Sequence, residues 1–184
     1  MHRFKKMLWT LRAFLVSPMF GRLRMPSYLG PPLLIVKPKR IFIERRVRIF
    51  PGMRAEAHYD GTIKIAENVA IGQNFHITAM GELTIGSGTV ISGAVMVTDI
   101  DHEYADITKN IHEQGFIYGR TAIGKNCFIG MGARIQAGTI LGDGCIVGAN
   151  SVVRGEFPSY CVIVGAPARV VKKYDFESAT WNRC

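Results

Sequence analysis

The segment TDIDHEYAD sets one histidine, His102, among four carboxylates: Asp99, Asp101, Glu103 and Asp106. A neutral imidazole, with an ordinary pKa of about 6.5, can accept a proton near neutral pH. A neighbouring carboxylate can fix its tautomer and stabilise the imidazolium that forms. Such a constellation suits removal of a proton from a hydroxyl. Asp101 and Asp99 precede the histidine closely, and spacing leaves open which acid would orient it. The chain has no GxSxG segment, so a covalent acyl-serine route has no motif behind it.

The elements that must position this histidine are repeats of six residues. Residues 123 to 158 read IGKNCF, IGMGAR, IQAGTI, LGDGCI, VGANSV, VRGEFP, and four of these six carry glycine second. A helix repeats near 3.6 residues and a strand near 2, so a period of six belongs to neither. It is the mark of a parallel β-helix, in which each hexapeptide gives one short strand and one corner. Upstream the register runs IERRVR, IFPGMR, AEAHYD, then IAENVA, IGQNFH, ITAMGE, then IGSGTV, ISGAVM, VTDIDH, with short slips between the triplets. Counted from Ile43, fourteen of fifteen repeat openers are Ile, Leu or Val. Three hexapeptides make a triangular coil, so five coils are expected, with openers in the core and the second-position glycines easing the corners. The register fails once, between His102 and Ile123. Excursions from a regular solenoid tend to be functional, and this one starts at the histidine.

The expected organisation is a single domain: an N-terminal helix and extended cap over 1–40, the β-helix over 41–165 with a loop extruded at about 102–122, and a short tail over 166–184. Phe4, Met7, Leu8, Leu11, Phe14 and Leu15 recur at helical spacing, opposite Lys5 and Arg12. The helix could cap the open end of the solenoid, or add a basic face that rests on anionic lipid. Residues 1 to 48 hold twelve Lys and Arg against Glu44 alone, a balance of +11, so the remainder of a chain of net +9 carries −2. Arg12 interrupts the only leader-like apolar run, and a cytoplasmic protein, at most at the inner membrane face, is expected. Four cysteines are too few for a disulfide scaffold; Cys127 and Cys145, eighteen apart, should stack in adjacent coils. No CxxC or Cys/His spacing suggests zinc.

The hexapeptide run followed by VGANSVVRGEFPSYCVIVGAPARVVKKY resembles the left-handed parallel β-helix acyltransferases, and within them the bacterial lipopolysaccharide and capsule O-acetyltransferases. The likeness runs from about Ile43 to the end. It implies the left hand of the coil, acetyl-CoA as co-substrate, no metal, and a homotrimer with active sites between subunits. It makes His102 the general base. It places the pantetheine arm near Met131 and Ala149, with Phe128 where many relatives have Trp, and the phosphates near Arg154, Arg169 and Lys172. Gly130 would let the ligand approach and offer a backbone N–H to an oxyanion. His76, Asp106 and Gln114 become candidates for the carbohydrate acceptor; His112 is a weaker one, and His58 reads as structural or solvated. No nucleic-acid partner is implied. A small acceptor (an antibiotic, a free sugar or a nucleotide amino sugar) is the rival substrate. A different class, a metal-dependent or non-catalytic β-helix, would need His76, His102 and His112 to converge.

Overall fold

The computed structural model describes residues 2–184, with side chains from Phe4 onward. Short strands stack in three parallel sheets around one core. The first face holds seven strands: Arg22–Leu23, Ile41–Ile43, Thr62–Ile65, Glu82–Ile85, Ala122–Ile123, Ile140–Leu141 and Glu156–Phe157. The second holds Tyr28–Leu29, Arg48–Ile49, Ala70–Ile71, Val90–Ile91, Phe128–Ile129, Ile146–Val147 and Cys161–Gly165. On the third lie Leu34–Val36, Arg54–Ala57, His76–Ala79, Met96–Thr98, Arg134–Ile135 and Val152–Val153. The chain therefore makes six complete coils and part of a seventh.

All fifteen repeat openers, from Ile43 to Val153, are at most 2% exposed. Each aliphatic side chain so buried contributes about 1.5–3 kcal/mol, which makes these ladders the main source of stability. The slips of register leave no defect. The extra residues lengthen two strands of the first face, Thr62–Ile65 and Glu82–Ile85, which pair residue for residue. Cys127 and Cys145 are buried free thiols, as expected of stacked core positions; Cys145 Sγ lies 3.6 Å from Cys161 Sγ.

Three readings of the sequence need correction. Residues 22 to 36 are not an extended cap outside the solenoid. They form the first coil, pairing in parallel with the second at Leu23↔Ile43, Leu29↔Ile49 and Ile35↔Ala55. The last residues are not a loose tail either, because Ala168–Asp175 and Thr180–Arg183 continue the second sheet as antiparallel strands. Finally, the second-position glycines do not make the corners. In most hexapeptides the residue with positive φ is the fourth, as at Asn126 (52°), Gly132 (72°) and Asn150 (56°). The second position needs glycine for space: a Cβ on Gly130 would lie 2.5 Å from the Ala149 nitrogen of the next coil.

The helix His2–Val16 sits at the open end of the solenoid. Ala13 is fully buried there. Trp9 packs against Tyr28 and Phe50, ring centroids 5.9 and 5.8 Å away. The apolar face of this helix is not the face that is buried: Phe4, Met7, Leu8, Leu11, Phe14 and Leu15 all point outward, 47 to 66% exposed.

Candidate functional site

The excursion begins as a β-hairpin. Ile100–His102 pairs antiparallel with Phe116–Tyr118, His102 opposite Phe116, and the two rings lie 4.9 Å apart. The hairpin root is tied to the solenoid by Asp99. This carboxylate is fully buried and accepts from the Met80 and Gly81 N–H groups at 2.7 and 3.0 Å. Burial raises its carboxyl above the ordinary range while these backbone donors oppose the rise. The Gly119 N–H closes the root on the Asp99 carbonyl at 2.9 Å. Asp99 is therefore a positioning residue three places before His102, and not the acid that orients its ring.

The hairpin overhangs the third face, where register places Arg54, His76, Met96 and Arg134 in one outward column and Glu56, Thr78 and Thr98 in the next. Wall and floor enclose a pocket of about 460 Å³, into which His102 opens beside Asp101 and Phe116, across from His58, His76 and Glu56. The imidazole nitrogens of His102 have no hydrogen-bond partner among the described residues, so both are available to a ligand. Asp101 accepts from the His102 backbone N–H at 3.0 Å, and its other oxygen lies 3.3 Å from Arg154 Nη1. Arg154, expected at the coenzyme phosphates, is thus paired with the acid beside His102.

Glu56 is the site residue that sequence reading missed. Its side chain is 11% exposed and receives Arg54 Nε in a close ion pair. His76 Nε2 lies 3.4 Å from one of its oxygens and His58 Nε2 3.5 Å from the other. The hydrogen bond from Arg54 holds the Glu56 carboxyl below the ordinary range; burial opposes this, and the Arg54 charge, His58 and His76 favour it further. His76 also meets Thr78 Oγ1 at 3.0 Å. His58, read as structural or solvated, belongs to this cluster. The only signal for it was the stacking of residues about twenty apart, visible once coils are placed over one another.

Asp106 and Gln114 do not reach the pocket. The Asp106 carboxylate accepts from the Thr108 hydroxyl and N–H at 2.6 and 3.0 Å and from Lys109 at 3.0 Å, contacts that lower its pKa. Gln114 bonds the Asp106 backbone through both N–H and carbonyl, at 3.1 and 3.0 Å. Both residues shape the loop from within. His112 lies on the exposed turn Ile111–Glu113, away from His76 and His102. No group of three His, Cys, Asp or Glu side chains able to hold a metal occurs among the described residues.

The expected coenzyme residues lie elsewhere. Register sets Phe128, Ile146, Val162 and Lys172 in one outward column of the second face. At about 4.8 Å per strand, Phe128 and Lys172 stand about 14 Å apart. Phe128 and Met131 are 45 and 60% exposed, and the Met131 carbonyl is taken by the Asn150 N–H at 2.8 Å. Arg169 lies on the same C-terminal strand as Lys172, opposite Val164. An apolar strip running to cations fits a long thioester with a phosphorylated end. Within one chain it borders the corner carrying Met131 and Ala149, while the His102 pocket occupies the third face.

The class of protein so defined is a parallel β-helix interrupted once, at a hairpin presenting a histidine to a polar pocket. Residues 120–155 match the family model described as bacterial transferase hexapeptide (six repeats). Over 139 residues the chain is 36% identical to WbbJ of Escherichia coli (strain K12), which carries the name of a lipopolysaccharide biosynthesis O-acetyl transferase; the match covers 72% of this chain and 71% of WbbJ. AntD, an N-acyltransferase from Bacillus cereus in complex with dTDP and 3-hydroxybutyryl-CoA, superposes with a TM-score of 0.76 at 18% identity, over 91% of this chain and 90% of AntD. A galactoside acetyltransferase in complex with coenzyme A gives 0.59 at 20% identity, over 93% and 83%. Likeness at that identity speaks for the fold alone. The chain belongs to the bacterial transferase hexapeptide family.

Proposed function

We propose that this chain is an acetyl-CoA-dependent O-acetyltransferase, acting on a hydroxyl of a bacterial surface polysaccharide or of its lipid-linked precursor. The observation that carries the reading is the unpartnered His102 ring opening into a pocket whose far wall, Glu56 and His76, can bind the other hydroxyls of a sugar. The name carried by WbbJ supports the polysaccharide acceptor.

Acetyl-CoA would supply the activated acetyl group, its length lying along the Phe128–Lys172 column. An imidazole nitrogen of His102 removes the proton of the acceptor hydroxyl as its oxygen bonds to the acyl carbon. The resulting imidazolium returns that proton as the thiol departs. General-base action of this kind supplies about 10²- to 10⁴-fold; holding both substrates in line supplies more. Asp101 lies beside the ring without touching it, and Arg154 fixes the orientation of Asp101. Because pocket and column lie on different faces of one solenoid, the reading includes a homotrimer in which one subunit's column meets another's pocket.

The test is release of free thiol from acetyl-CoA in the presence of candidate glycans, with mass analysis of the product. We expect His102→Ala to lower turnover about 10²- to 10⁴-fold while the protein still shifts its melting temperature with coenzyme A. Near wild-type turnover in that variant would remove His102 from the reaction. If only amino sugars accept acetyl, like the dTDP-4-amino-4,6-dideoxyglucose bound in another AntD complex, the hydroxyl acceptor is wrong and the small-acceptor reading replaces it.

A further inference from the structure

The N-terminal helix carries its large apolar side chains on the wrong side for a cap. Taken at 3.6 residues per turn, Phe4, Met7, Leu8, Leu11, Phe14 and Leu15 fall within an arc of about 120°, centred roughly opposite Ala13. Ala13 and Trp9 hold the helix to the solenoid, so the outward stripe is not needed for that contact. Beyond the helix, Met19 and Leu33 are 58 and 75% exposed. There they border an apolar groove of about 430 Å³ together with Val16, Pro32 and Leu34. Isolated exposed hydrophobes need no explanation, but six large ones on one face of a helix mark an interaction surface.

Charge selects the occupant. The same end of the molecule holds twelve of the chain's 23 Lys and Arg within residues 1 to 48 and one acid, Glu44. That acid is already shared by Arg22 and Arg24, at 2.6 and 3.3 Å. On the helix itself Lys5 is exposed beside the apolar stripe, and the half-buried Arg12 borders the groove. A second copy docking through this face would set two basic segments against each other, even with Arg40 and Arg46 paired to Asp60 and Glu67, whereas an anionic bilayer meets both the apolar stripe and its basic surround. Fifteen residues rise about 22 Å, short of the roughly 30 Å hydrocarbon layer. The helix would therefore lie in the interface and not cross it, and no helix among the described residues is long and apolar enough to cross.

We propose that the outward face of helix His2–Val16, together with Met19 and Leu33, docks the protein on the surface of an anionic lipid bilayer. The docking stands apart from the acetyl-transfer reading, and either can fail without the other.

Flotation of the full chain with vesicles tests it, using phosphatidylcholine alone and phosphatidylcholine mixed with phosphatidylglycerol. Binding is expected to the mixed vesicles, to weaken as salt is raised, and to fall about tenfold or more in Leu8→Glu/Leu11→Glu. A second variant, Leu8→Ser/Leu11→Ser, leaves the charge unchanged and is expected to lose most binding too. Both sites are solvent-exposed, so circular dichroism and melting temperature should match wild type. Absence of binding to mixed vesicles, equal binding to neutral ones, or undiminished binding by both variants would overturn the proposal. So would vesicle-free wild-type protein of higher mass than the variants, which would make the face a contact between copies.

Discussion

At the scale of single residues, the site contains two kinds of charged group. The His102 ring nitrogens have no hydrogen-bond partner among the described residues, whereas Glu56 is surrounded by Arg54, His58 and His76. A carboxyl whose folded pKa lies below its unfolded value stabilises the fold fully above the unfolded value, near 4.5. The contribution is lost as pH falls through the folded value. Glu56→Gln is therefore expected to flatten the fall of melting temperature below about pH 4.5. The same variant should raise KM for the acceptor more than it lowers kcat, because it alters binding of the sugar's other hydroxyls and not proton removal. Scanning calorimetry across pH and steady-state kinetics check the two halves. The histidine was legible because a polar cluster stood at a break in a regular pattern. Glu56 was not, since a charged residue alternating with alanines on a strand reads as a solvated edge until coil stacking shows what covers it.

At the scale of elements, the six-residue period carried nearly the whole fold, because each opener is buried by its neighbours above and below. The first coil escaped notice even though Leu23, Leu29 and Ile35 keep the spacing of six. Five prolines between 17 and 40 masked it, although an end coil has a free sheet edge that tolerates proline. The glycine positions divide by cause: left-handed backbone at the fourth residue, close approach of coils at the second. Gly130→Ala should therefore destabilise by about 1–3 kcal/mol, since the backbone of the next coil must move to admit the methyl. Thermal unfolding measures this. An unchanged melting temperature would mean that adjacent coils yield more readily than their 2.5 Å approach indicates. The hairpin Ile100–Tyr118 could not be read from period at all. Its strands pair with each other and not with the coil ladders, and Asp99, which anchors it, looked like one more acid near the histidine.

At the scale of the molecule, the solenoid sets the distance between functions. The column proposed for the coenzyme climbs the second face while the polar pocket lies on the third, and on the proposed reading another subunit completes the reaction centre. Sedimentation should give three times the chain mass, and an active monomer would refute the divided site. Coils are added in whole units, and this has a geometrical consequence. The pocket draws on the second to fifth coils, so its middle stands roughly two to three repeats, about 12 Å, beyond the first coil. If the N-terminal helix rests on a surface, the solenoid acts as a gauge. Sugars near that elevation come within reach of His102, those flush with the surface do not, and adding or removing one coil beneath the pocket would change the reach by a single step.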